Sequence, residues 1–235
     1  MSKLVFVLLA PSDPDHVVEV ALSGSLRERL AAAGADRVQV NVIDEAFTGA
    51  MNFQVLPEPI VGLVSVWYGG ARHTEVAATL VDALSGAGVR HHGWAVEERE
   101  PLVAPDASDG ERVPAMANLA FLRRPADLPY EEWRTIWQES HTQVAIDTQA
   151  TFGYVQNRVL EPLTPGTPAI AAIVEELFPE GAATDPHLFY GSGGDAAELN
   201  RRLGLMLESV ARFGAAENLD LVSTARRRWR LAARD

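Results

Sequence analysis

The strongest constraint on the fold is an order of elements that runs through the chain twice. Lys3 to Ala10 is a short apolar run rich in β-formers and stopped by Pro11, which predicts a strand. Asp15 to Ala33 recurs at helical spacing through Val18, Leu22, Leu26 and Leu30, and Gly34 ends it. Arg37 to Ile43 alternates polar and apolar residues as a half-buried strand does. Ile60 to Tyr68 is a further strand, His73 to Leu84 a helix carrying Val76, Leu80 and Leu84 on one face, and Val89 to Glu98 a strand. The second pass reads Met116 to Arg123 as strand, Pro129 to Asp147 as helix and Phe152 to Val159 as strand. Ala169 to Phe178 follows, then the helix Asp195 to Phe213 and the strand Leu219 to Leu231. Ala169 to Phe178 fits helix or strand by pattern; the order of elements and the bounding Pro168 and Pro179 favour strand.

Between the two passes, Pro101 to Pro114 holds three prolines, a glycine and several charges, a composition that predicts a linker. The expected organisation is a first unit over residues 1–100, a linker over 101–115 and a second unit over 116–235. A β-α-β-β-α-β unit makes a four-stranded antiparallel sheet with both helices on one face, a ferredoxin-like unit. Its bare face needs a cover, and the other sheet is the simplest one. The expected fold class is therefore α+β: two tandem ferredoxin-like units closing an intramolecular, pseudo-dimeric α+β barrel, with a cavity between the sheets. The halves share little residue identity, so the duplication rests on element order alone.

Composition narrows the partners. A formal net charge of -12 repels nucleic-acid phosphates and anionic lipid surfaces, so neither nucleic acid nor membrane is expected as a partner. The basic clusters Arg123-Arg124, Arg201-Arg202 and Arg226 to Arg230 are local, and read as solvated faces or ion-pair partners rather than a phosphate-binding patch. The chain has no cysteine, which removes disulfides, thiolate nucleophiles and thiolate metal ligands. The run Leu4 to Ala10 is far shorter than the ~20 residues a membrane span takes. It fits a buried strand better than a signal peptide, and a cytoplasmic location is expected.

The helix Pro129 to Asp147 concentrates the chemistry. Trp133, Trp137 and His141 recur every four residues and share one broad stripe, widened by Ile136, Ser140 and Val144. His141 is either a satisfied, packed histidine or a general acid/base at the edge of an aromatic surface. On the following strand Gly153, Val155, Asn157 and Val159 point one way and suit packing under helices. Phe152, Tyr154, Gln156 and Arg158 point the other way and suit either a solvent-exposed face or a cavity with aromatic walls and polar handles.

An Arg-ending strand, a W-x3-W-x3-H helix and then Y-x-Q-N on the next strand resembles the EthD family, of the dimeric α+β barrel superfamily. Arg123 to Val159 carries the likeness, and residues 116–231 are compatible with it. The first half has no W-x3-H counterpart, which argues against a second equivalent site. The resemblance implies a small-molecule pocket in a barrel of two sheets. The wider superfamily holds cofactor-free oxygenases of anthrones, isomerases of muconolactone type and decarboxylases. The expected function is an EthD-like oxidoreductase of the cofactor-independent oxygenase type, acting on an apolar cyclic or phenolic molecule. His141 and Tyr154 are its expected catalytic residues, and Trp133, Trp137, Gln156, Phe152 and Arg158 its expected substrate contacts. The alternatives are an isomerase or decarboxylase using the same proton chemistry, or a non-catalytic binding protein for a pathway intermediate. No cofactor or metal is expected; some distant relatives bind haem, for which His141 or His187 is the candidate axial ligand. A homodimer is compatible with this reading.

Other motifs point less far. Glu175-Glu176 and His91-His92 are adjacent on strands and face opposite ways, so neither is a pair, although one glutamate can enter the cavity. Gly191-Ser192-Gly193-Gly194 lacks the Lys-Ser/Thr of a phosphate loop and reads as a turn. Ser23-Gly24-Ser25 falls in a helical pattern without nucleophile-elbow spacing. Tyr68, His73 and Trp94 are candidates for the opposite cavity wall, or plain core and surface aromatics.

Overall fold

A computed structural model describes residues 1–10, 13–105 and 107–231. Strands β1 (Ser2–Leu9), β2 (Ala35–Val42), β3 (Ile60–Tyr68), β4 (Arg90–Leu102), β5 (Met116–Leu122), β6 (Gly153–Pro162), β7 (Ala172–Phe178) and β8 (Leu219–Arg230) close into one barrel in the order β1-β3-β2-β8-β5-β7-β6-β4. Every neighbouring pair is antiparallel. Each half keeps the ferredoxin-like order, β4-β1-β3-β2 and β8-β5-β7-β6, and the halves join edge to edge at β2–β8 and β4–β6. Closure leaves no strand with an unpaired backbone edge. The expected α+β barrel is thus the fold, with the helices outside. No described helix is long and apolar enough to cross a membrane.

The first half is covered by α1 (Pro14–Leu22), α2 (Gly24–Ala32) and α3 (His73–Gly86). Val17, Leu26, Leu30, Val76, Leu80 and Leu84 pack on Leu4, Phe6, Val64 and Val66 of the sheet. The single helix expected over Asp15 to Ala33 is two. Ser23 is extended (ψ 144°), and its Oγ accepts from the Leu26 N–H at 3.2 Å, so the Ser-Gly-Ser triplet caps α2 instead of continuing α1. Pro11, expected as the stop of β1, lies outside the described residues. β4 runs to Leu102, because β6 offers it a partner as far as Leu102 opposite Tyr154; the start of the expected linker is strand.

The second half is covered by α4 (Tyr130–Thr135), a π-helical turn at Ile136–His141 and α5 (Thr142–Thr148), one continuous helix, and by α6 (Pro186–Tyr190) and α7 (Ala196–Ala211). α6 is absent from the sequence reading. Gly191, Gly193 and Gly194 take positive φ (60°, 60° and 87°) and turn the chain from α6 into α7, in keeping with the turn read there. Ala172–Phe178 is a strand, as the element order required.

The barrel interior corrects one expectation. It is packed, not hollow: Val5, Leu63, Trp94, Phe121, Ile173 and Val222 fill it from around the ring. The alternation on β6 is also opposite to the one expected. Val159 packs with this interior, and with it the Val155 and Asn157 side; Tyr154 packs among the helices. The reason is mutual. The Trp-His stripe faces the sheet's outer surface, so the residues of β6 that meet it lie outside the barrel, and the alternate set, Val155, Asn157 and Val159, turns to the interior.

Candidate functional site

The site therefore lies between the outer face of the second half-sheet and its own helices. Strand register builds one wall. Tyr154 on β6 stands opposite Glu176 on β7, Glu176 opposite Asn118 on β5, and Asn118 opposite Ser223 on β8, a polar row across four strands. The Ser223 hydroxyl donates to Asn118 Oδ1 at 2.8 Å. The next row outward, Val174, Ala120 and Leu221, is apolar.

The helix supplies the opposite wall. Trp133 and Trp137 are fully buried with ring centroids 5.1 Å apart, and Trp133 donates its indole N–H to the Phe213 carbonyl at 3.2 Å. The π turn adds one residue to the helical circuit just before Thr142. The Thr142 hydroxyl donates to the Trp137 carbonyl five residues back, at 3.1 Å, and accepts from Gln156 Nε2 at 2.8 Å. Arg99 closes this bracing by donating to both Gln156 Oε1 (3.2 Å) and the Gln138 carbonyl (2.8 Å). His141 shares a hydrogen bond with Ser209 on α7 through Nδ1 at 2.9 Å and packs on Phe213, centroids 4.7 Å apart.

Between these walls is a cavity of about 260 Å3. Trp137, His141, Tyr154 and Glu176 line it, with Phe189, Tyr190, Met206, Val210 and Phe213 as apolar surface. Met51, Phe53 and Leu207, all exposed, stand on its rim. A second recess of about 330 Å3 shares Met51, Asn118, Phe189, Tyr190 and Leu203 with it.

Three polar atoms on this lining are buried without a hydrogen-bond partner among the described residues: Glu176 Oε1, Trp137 Nε1 and Gln149 Oε1. Burial, with no cation nearby to offset it, pushes the Glu176 carboxyl up to about 7. Burial, and then the charge of Arg212, lowers His141 to about 4, so its imidazole is neutral near pH 7. Burial, then the Glu176 charge, raises the Tyr154 phenol, which stays protonated. Tyr190 is raised by the same two causes.

The structure brings together only some of the residues singled out from sequence. Trp137, His141 and Tyr154 line the cavity; Trp133 and Gln156 are buried behind it. Phe152 packs away from it, beside Val113, Ala115 and Leu177. Arg158 points elsewhere, pairing with Glu97 at 2.7 Å and donating to the Tyr130 hydroxyl at 3.2 Å. Tyr68 and His73 bond to each other at 2.7 Å on the first half, and Trp94 fills the barrel interior, so none forms a cavity wall. His187 bonds Ser192 at 2.6 Å and does not line the cavity. Among the described residues no group of three His, Asp or Glu is placed to hold a metal ion. Glu176 was visible in sequence only as one of two adjacent glutamates, and its isolation needed the third dimension.

The fold places the chain among eight-stranded α+β barrels made of two ferredoxin-like units. Two solved structures share it. A protein described as anthrone oxidase-like superposes with a TM-score of 0.57 at 12% identity, over 96% of this chain and 90% of that one. A "putative monooxygenase" from Lactobacillus acidophilus superposes with a TM-score of 0.51 at 10% identity, over 99% and 98%. At such identities the likeness is one of fold. No protein-family model matches the sequence, and no curated protein matches it.

Proposed function

We propose that this chain is an oxidoreductase of the cofactor-independent oxygenase type, acting on an apolar cyclic molecule with a phenolic or enolisable proton. The observation that carries the reading is Glu176, whose Oε1 is buried without a hydrogen-bond partner among the described residues on the wall of a mostly apolar cavity, its carboxyl pushed up to about 7. A group titrating there is matched to proton removal near neutral pH. Glu176 is a better proton acceptor than His141, whose lowered basicity suits a neutral hydrogen-bonding role. In this reading the substrate is held by apolar contact, at roughly 25 cal/mol per Å2 buried. Its proton passes to Glu176, and the Trp137 indole N–H and the protonated Tyr154 phenol stabilise the negative charge left on the substrate oxygen. The electron-rich carbon of the anion then reduces O2: a new C=O bond replaces a C–H bond at that carbon, one oxygen atom stays as that carbonyl, and the other leaves as water with the proton held on Glu176 and the hydrogen displaced from the carbon. Gln156 and Thr142 hold the π turn that aims Trp137 and His141. The fold-level likeness to proteins described as anthrone oxidase-like and as a monooxygenase supports the choice of oxygenase over isomerase or decarboxylase.

The test is oxygen uptake with a panel of anthrone, naphthols and alkylphenols in air, without added cofactor. Uptake that falls about a hundredfold or more in Glu176→Gln is the expected result. No uptake with any panel member, uptake that depends on added flavin, haem or metal, or an undiminished rate in Glu176→Gln would each sink the reading.

A further inference from the structure

The run Arg226 to Arg230 takes no part in the cavity. Alternation on β8 sends Arg226, Arg228 and Arg230 to the interior side with Val222, and register sets them opposite Asn41, Gln39 and Arg37 on β2. Arg37, Arg226, Arg228, Arg230 and Asp109 line a recess of about 260 Å3 at one mouth of the barrel.

The local carboxylates are already engaged. Glu175, deeper in the barrel, lies 3.6 Å from Arg226 and accepts from Gln39 and from Asn41 (2.7 Å). Glu98 pairs with Lys3 at 2.6 Å and accepts from the Trp67 indole. Asp109 accepts the Arg230 backbone N–H at 2.7 Å. Arg228 donates to the neutral Gln39 carbonyl, at 3.0 and 3.2 Å, and Arg37 and Arg228 both lie over the Trp67 ring, 3.9 and 5.9 Å from its centroid. Neither has a carboxylate partner among the described residues, and the buried Nε atoms of Arg37 and Arg226 have no hydrogen-bond partner there either. Arg226 is 3% exposed. Among the described residues Lys3 and the four arginines outnumber Glu98, Glu175 and Asp109, even with Glu100 counted from outside, in a protein of net charge -12. Such clustering of guanidinium groups, in excess of the carboxylates beside them, costs stability unless an anion joins them.

We propose that this recess binds a small oxyanion, a phosphate or carboxylate group, in the forks of Arg37 and Arg228 with Arg226 behind them. A planar fork of N–H donors matches an oxyanion bidentately, and a partly enclosed mouth makes such pairs stronger than surface ones. The site is independent of the oxygenase reading.

Isothermal titration of the full chain with inorganic phosphate and with acetate, each against sodium chloride at equal ionic strength, tests it. The expected result is one saturable site per chain, with affinity at least about tenfold weaker in Arg228→Gln. Arg37→Lys keeps the charge and removes the fork, so it separates bidentate binding from mere charge and also guards against a misfolded Arg228 variant. Glu176→Gln leaves the affinity unchanged. Binding of phosphate alone specifies a tetrahedral oxyanion, and binding of both extends the site to carboxylates. No saturable binding beyond the chloride control, or undiminished affinity in both arginine variants, overturns the proposal.

Discussion

Glu175 and Glu176 are neighbours on β7, the first buried and the second partly exposed with its Oε1 buried, and they report on two different regions. Glu175 looks into the barrel. Burial alone would raise it, but Arg226, Asn41, Gln39 and Lys3 together hold it below the usual carboxylate range. Glu176 looks out under the helices, meets no cation, and rises to about 7. Burial works to raise both carboxyls, and the partners decide which of them falls and which stays raised, and so which is structure and which is suited to chemistry.

The largest test of this contrast is Glu175→Gln. It removes the counter-charge from Arg226 in the interior, and a loss of about 3–5 kcal/mol in urea unfolding is expected. A loss below about 1 kcal/mol would break the account of a closed interior network.

Glu176→Gln should act in the opposite direction. Burial pushes the folded carboxyl up to about 7, above the 4.5 of a free side chain, so the folded state holds the proton more tightly. Its contribution is intact below about 4.5 and is lost as pH rises through 7. The variant should therefore gain about 3 kcal/mol over the wild type at pH 8 and almost nothing at pH 4, read from denaturation at the two pH values. A uniform effect across pH would mean that Glu176 has a partner.

His141 gives the mirror-image limb. Burial lowers it to about 4, below the 6.5 of a free imidazole, so its stabilisation is complete above 6.5 and is lost as pH falls through 4. His141→Asn should flatten that acid limb by about 2 kcal/mol, the histidine being slightly exposed. Equal acid sensitivity in the two proteins would place the titrating group elsewhere.

The smallest expected effect sharpens the boundary of the site. Arg158 pairs with a mostly exposed Glu97 and does not line the cavity, so Arg158→Gln should cost less than about 1 kcal/mol and leave the affinity for a naphthol probe unchanged. A clear loss of probe binding would extend the site to the outer end of β6.

Much of this architecture is legible in the residues themselves. Apolar runs, helical recurrences, and glycine and proline punctuation locate seven of the strands closely, and the eighth, Ala172–Phe178, through the order of its neighbours. Local chemistry also marks the Trp-His helix as the unusual one. Where the reading failed, the deciding energy was not local. Ser23 broke a regular helical pattern because its hydroxyl caps the next helix better than it continues the last. The π turn has no periodic signature, since it is held by Thr142 bonding back to Trp137 and across to Gln156. Helix α6 is too short to show a recurrence.

Alternation along β6 states that Tyr154 and Val155 lie on opposite faces; it does not state which face is inside. That choice belongs to barrel closure, because eight strands leave an interior packed by side chains from around the ring, and the Tyr154, Trp133 and Trp137 set is accommodated under the helices. In the same way, two adjacent glutamates are certain to diverge, and only the closed ring determines that one meets Arg226 from the far end of the chain while the other meets no cation among the described residues. Periodicity is a property of neighbours along the chain, and pKa is a property of neighbours in space.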